Sequence, residues 1–192
     1  MHDGVINVNK PKGCTSYDVV HRIKKITNKK VGHTGTLDPM AMGVLPICIG
    51  KASKISQYIV AQTKRYTATM ILGVRTDTLD ITGKVLSETN FFYNKEKVLN
   101  ALKKFCGEYY QLPPMFSAIK KNGQKLYELA RQGITIEREK RLVNIYELNF
   151  VNYMPPNKIS IDVKCSKGTY IRSLCDDIGN ENDSVNDAAV FV

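Results

Sequence analysis

Apolar and polar positions alternate along Gly4-Val5-Ile6-Asn7-Val8-Asn9, the pattern of a half-buried strand. Lys10-Pro11-Lys12-Gly13 then turns the backbone. Thr15 or Ser16 is placed to cap a helix of about ten residues, with Val19, Val20, Ile23 and Ile26 as its apolar face. Lys24, Lys25, Lys29 and Lys30 stand at or beyond its carboxyl end, where cations suit the helix dipole. Val31 to Pro39 is a loop rich in glycine and threonine, and Ala52 to Val60 predicts a short helix. Arg65 to Val74 predicts a strand with Tyr66, Ala68, Met70 and Leu72 on one face. Ile81 to Leu86 reads as a turn into another strand, and Lys95 to Phe105 as a helix facing inward with Val98, Leu99, Leu102 and Phe105.

Gln111 to Phe116 breaks the regularity, and the segment on to Gly133 mixes Lys120, Lys121, Lys125 and Arg131 with Phe116 and Tyr127. Leu142 to Tyr153 and Lys158 to Cys165 predict two strands joined at Pro155-Pro156. Thr169 to Ile178 predicts a helix stopped by Gly179, and Asn180 to Val192 a polar, flexible tail. Strands and helices interleave without a steady βαβ alternation. The expected class is therefore α+β, with a mixed, largely antiparallel sheet. No internal repeat is present, and 192 residues suit one domain.

Charge adds the first functional clue. Lys and Arg number 28 against 18 Asp and Glu, a net +10. From Asp176 onward there are five acids (Asp176, Asp177, Glu181, Asp183, Asp187) and no Lys or Arg, so residues 1–175 carry 28 bases against 13 acids. Such a balance suits a polyanion, although a solvated lysine-rich surface would look the same. Five cysteines without a C-x-x-C pair predict reduced thiols and a cytoplasmic protein. Three scattered histidines predict no metal site. No apolar run approaches a membrane span, and the first residues lack the pattern of a secretory signal.

The segment around Asp38 carries the most chemistry. Pro39 restricts the Asp38 backbone to an extended shape and removes the next amide donor. Gly32, Gly35 and Gly43 allow tight turns and close approach of a ligand. An Asp so placed could be a nucleophile, a general base, a metal ligand, or an Asp-turn residue bonding its own backbone.

Gly32-His33-Thr34-Gly35-Thr36-Leu37-Asp38-Pro39, followed by Gly43-Val44-Leu45-Pro46, closely resembles the catalytic motif of TruB-type tRNA pseudouridine synthases, relatives of the Cbf5/dyskerin group. Four more segments agree with that family in order. Val8-Asn9-Lys10-Pro11-Lys12-Gly13-Cys14-Thr15-Ser16 resembles its amino-terminal motif, and Lys64-Arg65-Tyr66 its tyrosine segment. Leu112 to Lys120, running on to Arg131, is similar to its RNA-binding thumb insertion, about residues 112–133. Lys167-Gly168-Thr169-Tyr170-Ile171-Arg172-Ser173-Leu174 resembles its arginine motif. The likeness covers about residues 4–179.

The resemblance implies the pseudouridine synthase fold and isomerisation of uridine 55 in the T loop of tRNA. The glycosidic bond breaks, the base turns, and C5 joins C1′ with no atoms gained or lost, so no cofactor is expected. Asp38 would be the nucleophile, attacking C1′ or C6 or working through a glycal, and Arg172 the fixed cation that aims it. Tyr66 would stack on the flipped base, Tyr170 would contact that nucleotide, and His33 would fill space the base leaves. Lys10 and Pro11 would brace the loop, which places Lys10 among the substrate-binding residues. Lys64 and Lys120, with Arg65, Lys121 and Lys125, would contact phosphates. Each residue has a plainer reading: Tyr66 and Tyr170 as packing, Arg172 as a surface charge, His33 as a loop hydrogen bond, the lysines as a solvated face.

The chain departs from the family after Gly179. Members continue through an arginine-rich segment with an active-site leucine, and many add a PUA-like domain. The expectation is thus a shortened catalytic domain over residues 1–179, an acidic tail over 180–192 unlike the family, and weakened tRNA affinity. A monomer with no membrane and no obligate protein partner is expected. The alternative is a non-catalytic module that binds or helps fold tRNA; a general basic nucleic-acid binder would explain the charge but not the Asp38 motif.

Overall fold

The computed structural model describes residues 2–90, 92–180 and 189–191. The chain divides into two compact units, Met1–Gln62 and Thr63–Val192.

In the first unit, strand β1 (Gly4–Lys10) pairs antiparallel with β3 (Gly43–Ile49), which pairs on its other side with β2 (Val31–His33). Helix α1 (Ser16–Thr27) packs on this sheet, and Val20, Leu45, Ile47 and Ile49 form the core with Val8, Val19, Ile23, Val31 and Leu37 against it. Thr15 caps α1 in a reciprocal box with Asp18. Asn28, at φ 50°, ends the helix by donating its N–H to Lys24 O. Ile26 departs from its expected buried place and is 68% exposed. It lines, with Ile6, Ile23 and Ile49, an open hollow of about 410 Å³.

The periodicity of Gly43–Ile49 does not announce a strand, because Pro46 lacks an amide and normally demotes a central strand. Here Pro46 lies opposite Asn7, and its carbonyl accepts from Thr34 N at 3.1 Å. Leu45, Ile47 and Ile49 are buried on the core face, which sets the strand despite the missing donor. The predicted helix over 52–60 is a 3-10 turn, Gly50–Ile55, followed by α2 (Ser56–Val60).

The second unit is built on a five-stranded sheet, every pair antiparallel, in the order β12 (Ala189–Phe191), β4 (Lys64–Leu72), β11 (Lys158–Cys165), β10 (Arg141–Met154), β7 (Gly107–Gln111). Ala68, Met70 and Leu72 meet Ile145, Leu148, Ile159, Ile161 and Val163 in one core. Helix α3 (Lys95–Lys104) adds Val98, Ala101 and Leu102, and α5 (Ile171–Asn180) adds Ile171, Leu174, Cys175 and Ile178. A polar ladder of ion pairs joins the same strands: Arg65 to Asp162 at 2.6 Å, Arg65 to Glu147 at 3.4 Å, and Lys164 to Glu147 at 2.9 Å. Strands β5 (Val74–Thr76) and β6 (Val85–Glu88) form a hairpin. A second hairpin, β8 (Lys120–Lys121) and β9 (Gln124–Lys125), leads into α4 (Leu126–Arg131).

Two expectations near the carboxyl end are corrected. Gly179 does not stop α5 but is buried in its last turn, and the helix runs on to Asn180. Ala189–Phe191, expected in a flexible tail, pairs with Met70–Leu72 as an edge strand. Residues 181–188 and 192 of that predicted tail lie outside the described residues.

Candidate active site

Asp38 lies in the loop between β2 and β3, half-buried, and its flanking peptides are held on both sides. The Ser16 hydroxyl donates to Leu37 O at 3.0 Å and accepts from Leu37 N at 2.9 Å. Pro39 O accepts from Gly13 N at 2.8 Å and from the Lys10 ammonium at 3.3 Å. Asp38 O itself accepts from Ala41 N at 3.0 Å, closing a turn. Thr34, buried two residues beyond Gly32, ties the loop's start to Pro46 O. The carboxylate is thereby carried on a backbone with little freedom.

Lys10 is completely buried at the end of β1. Its ammonium donates to Pro11 O at 2.9 Å and Cys14 O at 2.8 Å as well as to Pro39 O. Burial pushes the ammonium below its ordinary pKa, opposed by Cys14, Asp38 and Asp18. With its three donors spent on carbonyls, Lys10 is a strut for the Asp38 loop and has no surface with which to meet a phosphate. His33 ends β2 opposite Ile47. Burial holds its imidazole below the usual value, against a weaker pull from the Gly35 backbone, which favours the neutral ring.

In the second unit, Lys64 and Tyr66 project from β4, paired with Cys165 and Val163. Tyr66 packs partly buried against the core. Arg172, 5% exposed on α5, is a hub. It donates to Thr78 O at 3.1 Å and Phe116 O at 2.9 Å and lies 3.8 Å from the Asp80 carboxylate. That rules out a solvated surface charge. Asp80 in turn accepts from Thr78 Oγ1 and Thr82 N, both at 2.9 Å, and from Thr82 Oγ1. Leu79, between the two residues that Arg172 reaches, has φ 60°, a left-handed backbone that costs a leucine about 1–2 kcal/mol.

Tyr170 immediately precedes α5, and Gln111 grips its backbone with both ends of one amide. Gln111 Oε1 accepts from Tyr170 N at 2.8 Å, and Gln111 Nε2 donates to Tyr170 O at 3.0 Å. The same Nε2 also donates to the Tyr109 hydroxyl, whose burial pushes that phenol up. Ser173 Oγ donates to Leu112 O at 2.9 Å, and Arg138 to Pro113 O at 2.8 Å. With Arg172 on Phe116 O, two neighbouring donors of α5 and one from Arg138 pin the irregular 112–116 segment.

Lys120 is exposed on the β8–β9 hairpin, next to Lys121. Lys121 donates to Glu137 O, and Lys125 to the Tyr127 hydroxyl. Arg65, read as a phosphate contact, is instead paired with Asp162 and Glu147. Among the described residues no cluster of His, Cys, Asp or Glu is placed to hold a metal ion. Ser16, Asp80 and Gln111 are absent from the sequence-derived site, since their importance lies only in their partners. Only Asn122-Gly123, which turns the hairpin at φ 52° and 85°, left an overlooked sequence signal.

Residues 23–171 match the model of the TruB family pseudouridylate synthase amino-terminal domain. A tRNA pseudouridine synthase B of Clostridium kluyveri is 52% identical over 179 residues, 93% of this chain and 62% of that protein. One from Clostridium tetani is 55% identical over 181 residues, again 93% and 62%. The chain thus spans under two thirds of the length of these curated relatives. Among solved structures, a chain from a Cbf5–Nop10–Gar1 complex superposes with a TM-score of 0.72 at 33% identity, covering 98% of this chain and 46% of that one. A chain from an H/ACA RNP bound to a substrate RNA containing 2′-deoxyuridine gives 0.69 at 29% identity, covering 98% and 45%.

Proposed function

The chain belongs to the TruB family of pseudouridylate synthases, and from that premise we propose that it isomerises uridine 55 in the T loop of tRNA to pseudouridine. The observation that carries this reading is the Asp38 loop, whose backbone is bonded at Leu37 and at Pro39. A nucleophile must be aimed before it is useful, and positioning of this kind removes much of the entropic barrier.

In the proposed reaction the N1–C1′ bond breaks with the Asp38 carboxylate as nucleophile. The detached uracil turns, C5 bonds to C1′, and the hydrogen lost from C5 is balanced by one gained at N1. The target base must leave its stack, which costs a few kcal/mol. Tyr66 offers a ring on which the base can stack, and Tyr170 a second contact whose backbone Gln111 holds in place. Arg172 completes the catalytic set. Lys64 and Lys120 contact phosphates, His33 fills space near the displaced base, and Lys10 supports the loop from below.

Tritium release from tRNA labelled with [5-³H]uridine tests the reading directly. Wild type is expected to release tritium, and Asp38→Ala to lose at least about 10³-fold in rate while binding tRNA within about 2-fold. Unchanged release from Asp38→Ala would remove Asp38 from the chemistry. Binding without release by wild type would leave a tRNA-binding module in place of an enzyme.

A further inference from the structure

Ser16 is the first residue of α1 and only 3% exposed. The helix does not need its hydroxyl, because Thr15 supplies the cap. Serine is also no better than average inside a helix, where its side chain competes for backbone bonds. Yet the hydroxyl is fully committed. Its proton goes to Leu37 O at 3.0 Å and a lone pair receives Leu37 N–H at 2.9 Å. One side chain therefore satisfies both backbone groups of one residue, a service that a neighbouring strand usually performs.

Leu37 immediately precedes Asp38, and its side chain packs against the first unit's core. On the far side, Pro39 O is held by Gly13 and Lys10. Removing the Ser16 hydroxyl releases one of these two grips and strands two backbone groups of Leu37 in a shielded place.

We propose that Ser16 is a positioning residue for Asp38: its hydroxyl holds the Leu37 peptide and thereby sets where the Asp38 carboxylate points. This rests on the reading of Asp38 as nucleophile. Ser16 touches no substrate, so its effect lies in the chemical step. Displacing a reacting group by about 1 Å can cost about 100-fold in rate.

The test compares wild type, Ser16→Ala, Ser16→Thr and Asp38→Ala in three measurements on the full chain: single-turnover tritium release at saturating tRNA, tRNA Kd, and hydrogen exchange at the Leu37 amide. Ser16→Ala is expected to release tritium about 10- to 100-fold more slowly, with Kd within about 2-fold of wild type. Leu37 exchange should quicken at least about 10-fold, while the Gly13 amide keeps its protection. Ser16→Thr, which retains the hydroxyl, should recover the rate to within about 3-fold. A Ser16→Ala rate within about 2-fold of wild type overturns the proposal, as does a loss in Kd matching the loss in rate, or a threonine variant no faster than the alanine one. If Ser16→Ala does not unfold cooperatively, Ser16→Cys, a near-isostere with a weaker donor, replaces it under the same limits. If wild type itself releases no tritium, the uridine reading fails, and the clamp is decided by exchange alone: Leu37 protection unchanged in Ser16→Ala overturns it.

Discussion

Arg172 reaches two carbonyls and one carboxylate from a single planar fork. A lysine offers one compact charge and cannot span the same acceptors. Arg172→Lys is expected to destabilise the protein by about 2–3 kcal/mol in urea unfolding and to lower turnover at least about 100-fold. Gln111 is bound as firmly, and Gln111→Met, similar in volume, strands the Tyr170 N–H. Its expected cost is about 1–3 kcal/mol by the same measurement. The sequence singles out Asp38 and Arg172 as candidates because of the chemistry of their side chains within compact motifs. It does not single out Ser16, Gln111 or Asp80: Ser16 meets its partner 21 residues away and Gln111 59 residues away, and nothing in the local pattern of either announces the contact.

Elements with an undisturbed period were equally readable. Alternation in β4 put Ala68, Met70 and Leu72 into the core as expected, and the three-to-four spacing around α3 did the same for Val98, Leu102 and Phe105. In α3 the buried set is Val98, Ala101, Leu102 and Phe105, with alanine in place of the predicted Leu99, because the helix meets the sheet along a slightly rotated stripe. Strand β3 was hidden by Pro46, and the short strand β7 by aromatic residues on both faces. Asn94 caps α3 by accepting from Lys97 N at 3.0 Å, so Asn94→Ala should cost about 1 kcal/mol, visible as a shift in urea midpoint. At the tip of the β8–β9 hairpin, Gly123→Val places a branched side chain at φ 85°, where it strains the turn. That variant is expected to weaken tRNA binding several-fold and to lower stability by about 1–2 kcal/mol, seen as a shift in urea midpoint.

Over the whole molecule, charge governs how binding and stability respond to the medium. The 28 basic residues predict a steep loss of tRNA affinity with salt. Lys120→Ala should reduce the slope of log K against log salt by roughly one if that side chain meets a phosphate. Stability responds to pH through α5. Burial, then repulsion from Asp176, pushes the Asp177 carboxyl up to about 6, against opposing pulls from Lys140, Arg75 and Tyr109. Burial likewise raises Asp176, despite its contact with Arg75 at 3.2 Å. A carboxyl with a raised pKa binds its proton more tightly when folded. The stability from Asp177 is therefore complete below its ordinary range and is lost as pH rises through about 6. Asp177→Asn should melt about 2–4 °C higher than wild type near neutral pH, with the gain vanishing near pH 4.

The grips on the Asp38 loop also lie within a single unit at the start of the chain. Lys10, Gly13 and Ser16 precede Leu37, Asp38 and Pro39 by only a few dozen residues, and all six belong to the amino-terminal unit. Since domains generally fold as units, the amino-terminal one first during synthesis, the loop and its anchors form together once β3 (Gly43–Ile49) has been made. A ribosome still translating the second unit can thus already carry Asp38 on a backbone bonded at Leu37 and Pro39.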